Sequence, residues 1–220
     1  MSLTRLYMSD MAGARRLMSV GMLRKRAGSG GLVAARNKVA KTFLDQTECE
    51  WLFMVDSDMS FDADIVERLV ASADRYDRPI VGALCFGMQH LHTDERFAQT
   101  MLIVPTLYEF VDTGDEVGFR TMPDYERDAM VKVAGTGAAA VLIHRRALYL
   151  IRQKYGDVWY DPITHPTGPT TFSEDLSFCV RAAGCDLPIF VDTSVQTAHD
   201  KGGIFLDQVT FEHQPVPVDA

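Results

Sequence analysis

No apolar run in this 220-residue chain approaches the roughly 20 residues of a membrane-crossing helix, and the charged-then-apolar start of a secretory leader is missing. Cysteine is scarce. Cys49, Cys85, Cys179 and Cys185 make no Cys-x-x-Cys and no even framework, so they read as buried free thiols of a reducing compartment. Positive charge is in deficit: the net charge of -8 disfavours wholesale binding of a nucleic-acid backbone. The one candidate basic patch, Arg15, Arg16, Arg24, Lys25 and Arg26, reads as the solvated face of a helix. Internal repeats and low-complexity tracts are also lacking. These absences leave a globular protein of the cytoplasm, with no membrane span and no nucleic-acid partner.

What is present suits one sizeable domain over residues 1–220. Residues 5–8 predict a short first strand, and residues 12–26 a helix, before Gly28-Ser29-Gly30-Gly31 breaks the chain. Leu32, Ala35, Val39, Phe43 and Leu44 recur at helical spacing to about Asp45. A strand over 51–56, a helix starting near Asp62 and a strand over 80–84 come next. From 85 to 130 the pattern is irregular, with short strands at 101–104 and 117–121. Residues 131–143 read as a strand interrupted by Gly135-Thr136-Gly137, residues 146–154 as a helix, and 156–171 as a loop. Ser173 caps a helix that Gly184 ends, and 188–191 form a late strand. This β/α first half and loop-rich second half predict one α/β domain, whose amino half, about 1–84, binds a nucleotide and whose carboxyl half, about 85–220, shapes an acceptor site.

Trp51-Leu52-Phe53-Met54-Val55-Asp56-Ser57-Asp58 is the most informative stretch. An unbroken apolar run this short reads as a strand buried on both faces of a parallel sheet. Ligands of open α/β sheets bind at the carboxyl ends of such strands. Asp56 and Asp58 therefore stand where a ligand is held, and two adjacent carboxylates call for a cation; oxygen donors suit Mg or Mn. The bland alternative is a turn in which Asp caps the next helix.

Ala35-Arg36-Asn37, Val55-Asp56-Ser57-Asp58, Gly135-Thr136-Gly137 with Leu142-Ile143 and Arg145, Ser173-Glu174-Asp175 with Phe178-Cys179, and His199 occur in that order. So arranged, they resemble the GT-A glycosyltransferases, in particular the family-2-like enzymes of bacteria and phages, over residues 32–201. The resemblance implies a single Rossmann-like domain with a mixed, mainly parallel central sheet and helices on both faces. It further implies metal-dependent, inverting transfer of a sugar from a nucleotide-diphosphate donor, here expected to be UDP-linked, to an acceptor hydroxyl. Metal ligation falls on Asp58 and His199 with Asp56, the ion being Mn or Mg. Donor contacts fall on Asp56, Asp58, Arg36, Asn37, Gly135, Thr136 and Gly137. Asp175 becomes the general base and Glu174 its helper. Trp159 and Tyr160 would offer an aromatic platform to an acceptor that is a soluble protein or glycan. For a phage-encoded chain the compartment is the host cytoplasm. One departure from the family is the start, Arg5-Leu6-Tyr7-Met8-Ser9-Asp10, which lacks the usual proline.

Each assignment has a plain structural alternative. A lone His is usually a surface or core residue, although neutral imidazole binds Mn well. Acids in a first helical turn favour the helix dipole whatever else they do. Glycines let a backbone approach a ligand, or form a bulge. Arg36 pairs equally well with phosphate or with Asp56 or Asp58. Aromatics pack in cores by default. His90-x-His92 is a weaker acceptor-facing candidate. Two rival functions remain: a haloacid-dehalogenase-type phosphatase using Asp56-Ser57-Asp58-Met59-Ser60, and an inactive nucleotide-sugar or glycan-binding module. The phosphatase needs a paired Asp-Asp downstream, and none occurs in the sequence.

Overall fold

The computed structural model describes residues 2–9, 15–23, 31–92, 99–113, 117–164 and 171–214. The first half holds β1 (Ser2–Ser9), β2 (Arg15–Leu23), α1 (Gly31–Gln46), β3 (Trp51–Asp56), β4 (Met59–Phe61), α2 (Ile65–Ser72) and β5 (Ile80–Leu84). Five short strands come next: β6 (Phe86–His92), β7 (Gln99–Pro105), β8 (Leu107–Asp112), β9 (Val117–Thr121) and β10 (Met130–Val133). The remainder is β11 (Gly135–Thr136), β12 (Ala140–His144), α3 (Arg145–Tyr155), α4 (Glu174–Ala183), β13 (Ile189–Asp200), β14 (Phe205–Leu206) and α5 (Gln208–His213). Among the described residues no helix is long and apolar enough to cross a membrane.

The main sheet runs β10-β13-β5-β12-β3-β1-β2, with β4 and β14 added at the far end of β13. Period-two alternation explains why β3 is apolar throughout. Leu52 and Met54 enter a core with Val39 and Phe43 of α1, Leu148 and Ile151 of α3, and Phe178 of α4. Trp51, Phe53 and Val55 enter a second core with Ile65, Val66 and Leu69 of α2. Helices thus cover both faces, as the sequence predicts.

The expectation of a mainly parallel sheet is corrected. Among the described strands only β5 and β13 pair in parallel, whereas β3 lies antiparallel to both β12 and β1. An apolar run reports burial on two faces and carries no information on strand direction. The helix expected over 12–26 is also replaced, over its described part, by β2, which forms a hairpin with β1. Gly28, Ser29 and Gly30 lie outside the described residues, as do Arg24, Lys25 and Arg26 of the basic patch.

Two local devices fix the elements that carry the site. Arg145, the first residue of α3, donates from its guanidinium to the carbonyls of Phe43, Leu44, Thr47 and Cys49. A cation on those orphan carbonyls caps the end of α1 and complements its dipole. Arg145 is therefore structural. In β13 the register slips between Asp192 and Gln196, after which the strand continues alongside β4. That shift sets His199 opposite Met59, next to the turn that bears Asp58.

Candidate active site

The carboxyl end of β3 meets the amino end of α4. Ser173 caps α4 by accepting from the Leu176 amide, and Glu174 and Asp175 occupy the first turn. One turn into α1, Arg36 projects between them and β3, with its side chain only 3% exposed. Its Nη1 donates to Glu174 Oε1 at 3.2 Å and to Asp175 Oδ1, and Nη2 reaches both oxygens of Asp56 at 3.3 and 3.2 Å. The Arg36–Asp56 ion pair is the alternative the sequence left open; the pairs to Glu174 and Asp175 are additional. Burial alone would pull Arg36 down, yet Asp175 and Asp56, with smaller help from Tyr160 and Glu174, hold its pKa above the usual value.

Asp175 is perturbed in the opposite sense. Burial pushes its pKa up to about 6; Arg36 pulls down against this, while Glu174 and Asp56 push further up. Its side chain is 23% exposed. A carboxylate poised near 6 is a far better proton acceptor at neutral pH than an ordinary one. Tyr108, on β8, lies within range of Asp175 and is raised above its usual value by burial and by that charge.

Two residues after Asp56 a second cluster forms. His199 Nε2 lies 2.9 Å from Asp58 Oδ2, and Lys201 Nζ lies 3.1 Å from the same oxygen. Burial raises Asp58, but Lys201 and His199 overcome it and hold the group below the usual carboxylate range. Lys201 is the site residue that sequence reasoning misses. Its signal is the two-residue spacing from His199, which on extended chain returns a side chain to the same face.

The donor set can be tested against a divalent ion from the His199 ring alone. Nδ1 faces the Phe86 carbonyl at 3.4 Å while Nε2 faces the Asp58 carboxylate, so the ring has an acceptor on each side. A neutral imidazole has one N–H. With it on Nε2 the ring donates to Asp58; with it on Nδ1, as metal-binding histidines commonly have it, Nε2 turns its lone pair beside Oδ2 and the two form a donor pair for a cation. Cis ligands about 2.1 Å from an octahedral ion lie about 3.0 Å apart, close to the spacing here. The spacing of Asp58 and His199 suits a divalent ion as it suits a hydrogen bond, and Asp56, the third expected ligand, is paired with Arg36. Among the described residues no group of three or more His, Cys, Asp or Glu side chains is placed to hold a metal ion by itself. Such an ion would take its remaining ligands from phosphate and water, as Mg commonly does.

Other expected contacts sit elsewhere. Trp159 and Tyr160 are fully buried, Trp159 donating to the Leu148 carbonyl and Tyr160 stacked on Phe178 with its hydroxyl at Met54 Sδ. Neither ring has a face open to an acceptor, so the platform expectation is corrected to core packing. Asn37 spends both ends of its amide on the loop behind them, donating to Asp161 and accepting from the Tyr160 amide. Gly135 and Thr136 pair with Tyr108 and Leu107 of β8, and Thr136 is buried. A Cβ on Gly135 would lie 2.8 Å from Phe119, so glycine is required there for side-chain packing, whereas Gly137 has ordinary room. The side chains of His90 and His92 lie outside the described residues.

Around Arg36 three carboxylates (Asp56, Glu174, Asp175) face one guanidinium, an excess of two negative charges when all are ionised, whereas Asp58 is paired with Lys201.

No family model matches the sequence, and no curated protein matches it. Among solved structures the chain is similar to the crystal structure of A197 from STIV, at 17% identity and a TM-score of 0.45, covering 84% of this chain and 74% of that one.

Proposed function

We propose that the chain is a metal-dependent glycosyltransferase that moves a sugar from a nucleoside-diphosphate donor, UDP-linked by resemblance, to an acceptor hydroxyl with inversion. The observation that carries this reading is the pairing of His199 with Asp58 just past the end of β3 and, two residues earlier, the tie through Arg36 from Asp56 to the raised carboxylate of Asp175. Asp58 Oδ2 and His199 Nε2 would hold Mn or Mg. That ion supplies positive charge to the leaving diphosphate. Asp175 accepts the proton of the acceptor hydroxyl as that oxygen attacks the sugar carbon, on the face away from the departing diphosphate. Glu174, on the same Arg36 nitrogen, orients the acceptor. Arg36 keeps both acids in place and, being buried with its Nη atoms engaged, acts on the donor through Asp56 rather than by direct contact.

The phosphatase alternative needs Asp56 free to attack phosphorus, whereas both its oxygens face the Arg36 guanidinium. With a net charge of -8, a soluble protein or glycan in the cytoplasm is the acceptor class we favour over an anionic lipid surface. Screening nucleotide sugars for metal-dependent hydrolysis, and then offering the hit with acceptors, tests the reading. Asp175→Asn should lower transfer about 100-fold or more while leaving donor binding intact. Phosphate release from simple esters would point to the phosphatase, and metal-dependent binding with no turnover to an inactive module.

A further inference from the structure

Lys201 is the one charged side chain of the site that this mechanism leaves unused. Its ammonium lies 3.1 Å from Asp58 Oδ2, the oxygen that His199 Nε2 meets at 2.9 Å. A divalent ion held by Asp58 and His199 would need that same oxygen, and two cations sharing one carboxylate oxygen repel each other. The ammonium must therefore withdraw as an ion enters.

The chain around Lys201 suits a withdrawal. Its side chain is 37% exposed, so solvent lies beside it. Gly202 and Gly203 come next with φ of 73° and 97°, a region that glycine occupies without strain. The turn is closed by the Lys201 amide donating to Ile204 O at 2.9 Å and the Gly203 amide donating to Asp200 Oδ1 at 2.7 Å. The backbone is thus fixed at both ends of a tight turn while the side chain is free to swing.

Charge couples the ion to the diphosphate. Withdrawing the ammonium from Asp58 loses an ion pair, which costs affinity for an ion arriving alone. A diphosphate arriving with the ion offers the displaced ammonium a new anion and removes that cost. Diphosphate alone meets Lys201 already paired with Asp58, and two residues along the chain from Asp58 three carboxylates share the single guanidinium of Arg36, so it too binds poorly without the ion. We propose that Lys201 is an internal counter-ion, which occupies Asp58 until a divalent cation and a nucleoside diphosphate arrive together, making their binding strongly cooperative.

The inference rests on the glycosyltransferase reading, and the test separates the two. Free Mn would be followed by electron paramagnetic resonance in titrations of the wild type, Lys201→Met, Lys201→Arg and Asp58→Asn. Each titration would run alone and then with UDP, GDP, ADP and CDP in turn. Lys201→Met should bind Mn alone about tenfold more tightly than wild type, within the usual range of coupling between sites, and should gain less from the diphosphate. Lys201→Arg, which keeps the charge, should behave as wild type. If Lys201→Met and wild type bind Mn equally, with equal gains from diphosphate, while Asp58→Asn loses binding, the counter-ion role is overturned and the metal site stands. If no form binds Mn with any diphosphate, both the inference and the reading beneath it are wrong.

Discussion

Replacing Asp175 with Asn should make the protein more stable at pH 8, although it removes the candidate base. In the fold, burial outweighs Arg36 and carries the Asp175 pKa from its ordinary 3.8 to about 6. The sign comes from linkage: an acid whose folded pKa is raised contributes stability that is complete below pH 3.8 and is lost as pH rises through about 6. At about 1.4 kcal/mol per pKa unit, the ionised carboxylate disfavours the fold by about 3 kcal/mol above pH 7. Asn stands in for the neutral acid at every pH. Nor does its introduction orphan the guanidinium, because Arg36 keeps Asp56 and Glu174. Thermal melts of the two proteins from pH 3 to 8 should therefore converge at the acid end and separate as pH rises. For a chain of this length a difference of about 3 kcal/mol corresponds to about 6–12 °C in favour of the variant. A variant less stable than wild type at pH 8 would refute the claim that desolvation dominates at Asp175, and with it the argument for a poised base.

The other predictions concern groups around the site. Arg36→Met should cost about 3–5 kcal/mol at pH 7, because it leaves three carboxylates without their shared buried cation; denaturant titration measures it, and a loss under about 1 kcal/mol would contradict the hub role. Burial lowers the His144 pKa, and its Nδ1 accepts from the Arg146 amide to cap α3. That contribution is complete above the ordinary His value of 6.5 and is lost as pH falls below it, so His144→Asn should flatten this part of the stability profile; a profile of unchanged slope would count against it. Trp159→Ala should cost about 3–5 kcal/mol on the usual scale for a buried aromatic, and a near-neutral result would restore an exposed role for the ring.

Much of the framework was legible because burial leaves a pattern in the sequence. The apolar run of β3, the Ser173 cap and the glycine after α4 are local signals, and the structure has them where the sequence has them. Strand direction was not legible: Leu52 is equally buried whether its neighbours run with it or against it. The strand β2 was misread because Leu17, Met18 and Met22 fit either period, and pairing with β1 decides between them. Within the site, Asp56, Asp58 and His199 stood out as residue types, but the Arg36–Asp175 contact spans 139 positions. Only the tertiary fold creates it, by bringing the Arg36 side chain of α1 to the first turn of α4 at the end of β3. Trp159 and Tyr160 show the converse error. An aromatic pair in a loop suggests a surface, yet Arg181 on the Trp159 and Asp161 carbonyls and Asn37 on the Tyr160 amide draw that loop into the core.

If Asp58 and His199 hold a divalent ion against a diphosphate, the ion and the diphosphate should stabilise the fold only together. Thermal stability would be followed with nucleoside diphosphate alone, with Mn alone and with both, in wild type and Asp58→Ala. A ligand at about 100 times its dissociation constant stabilises the folded state by about 2.7 kcal/mol. The account predicts that shift in the wild type only when both are present, and none in Asp58→Ala. Equal stabilisation by the diphosphate in the presence of a chelator, or an undiminished shift in Asp58→Ala, would contradict it.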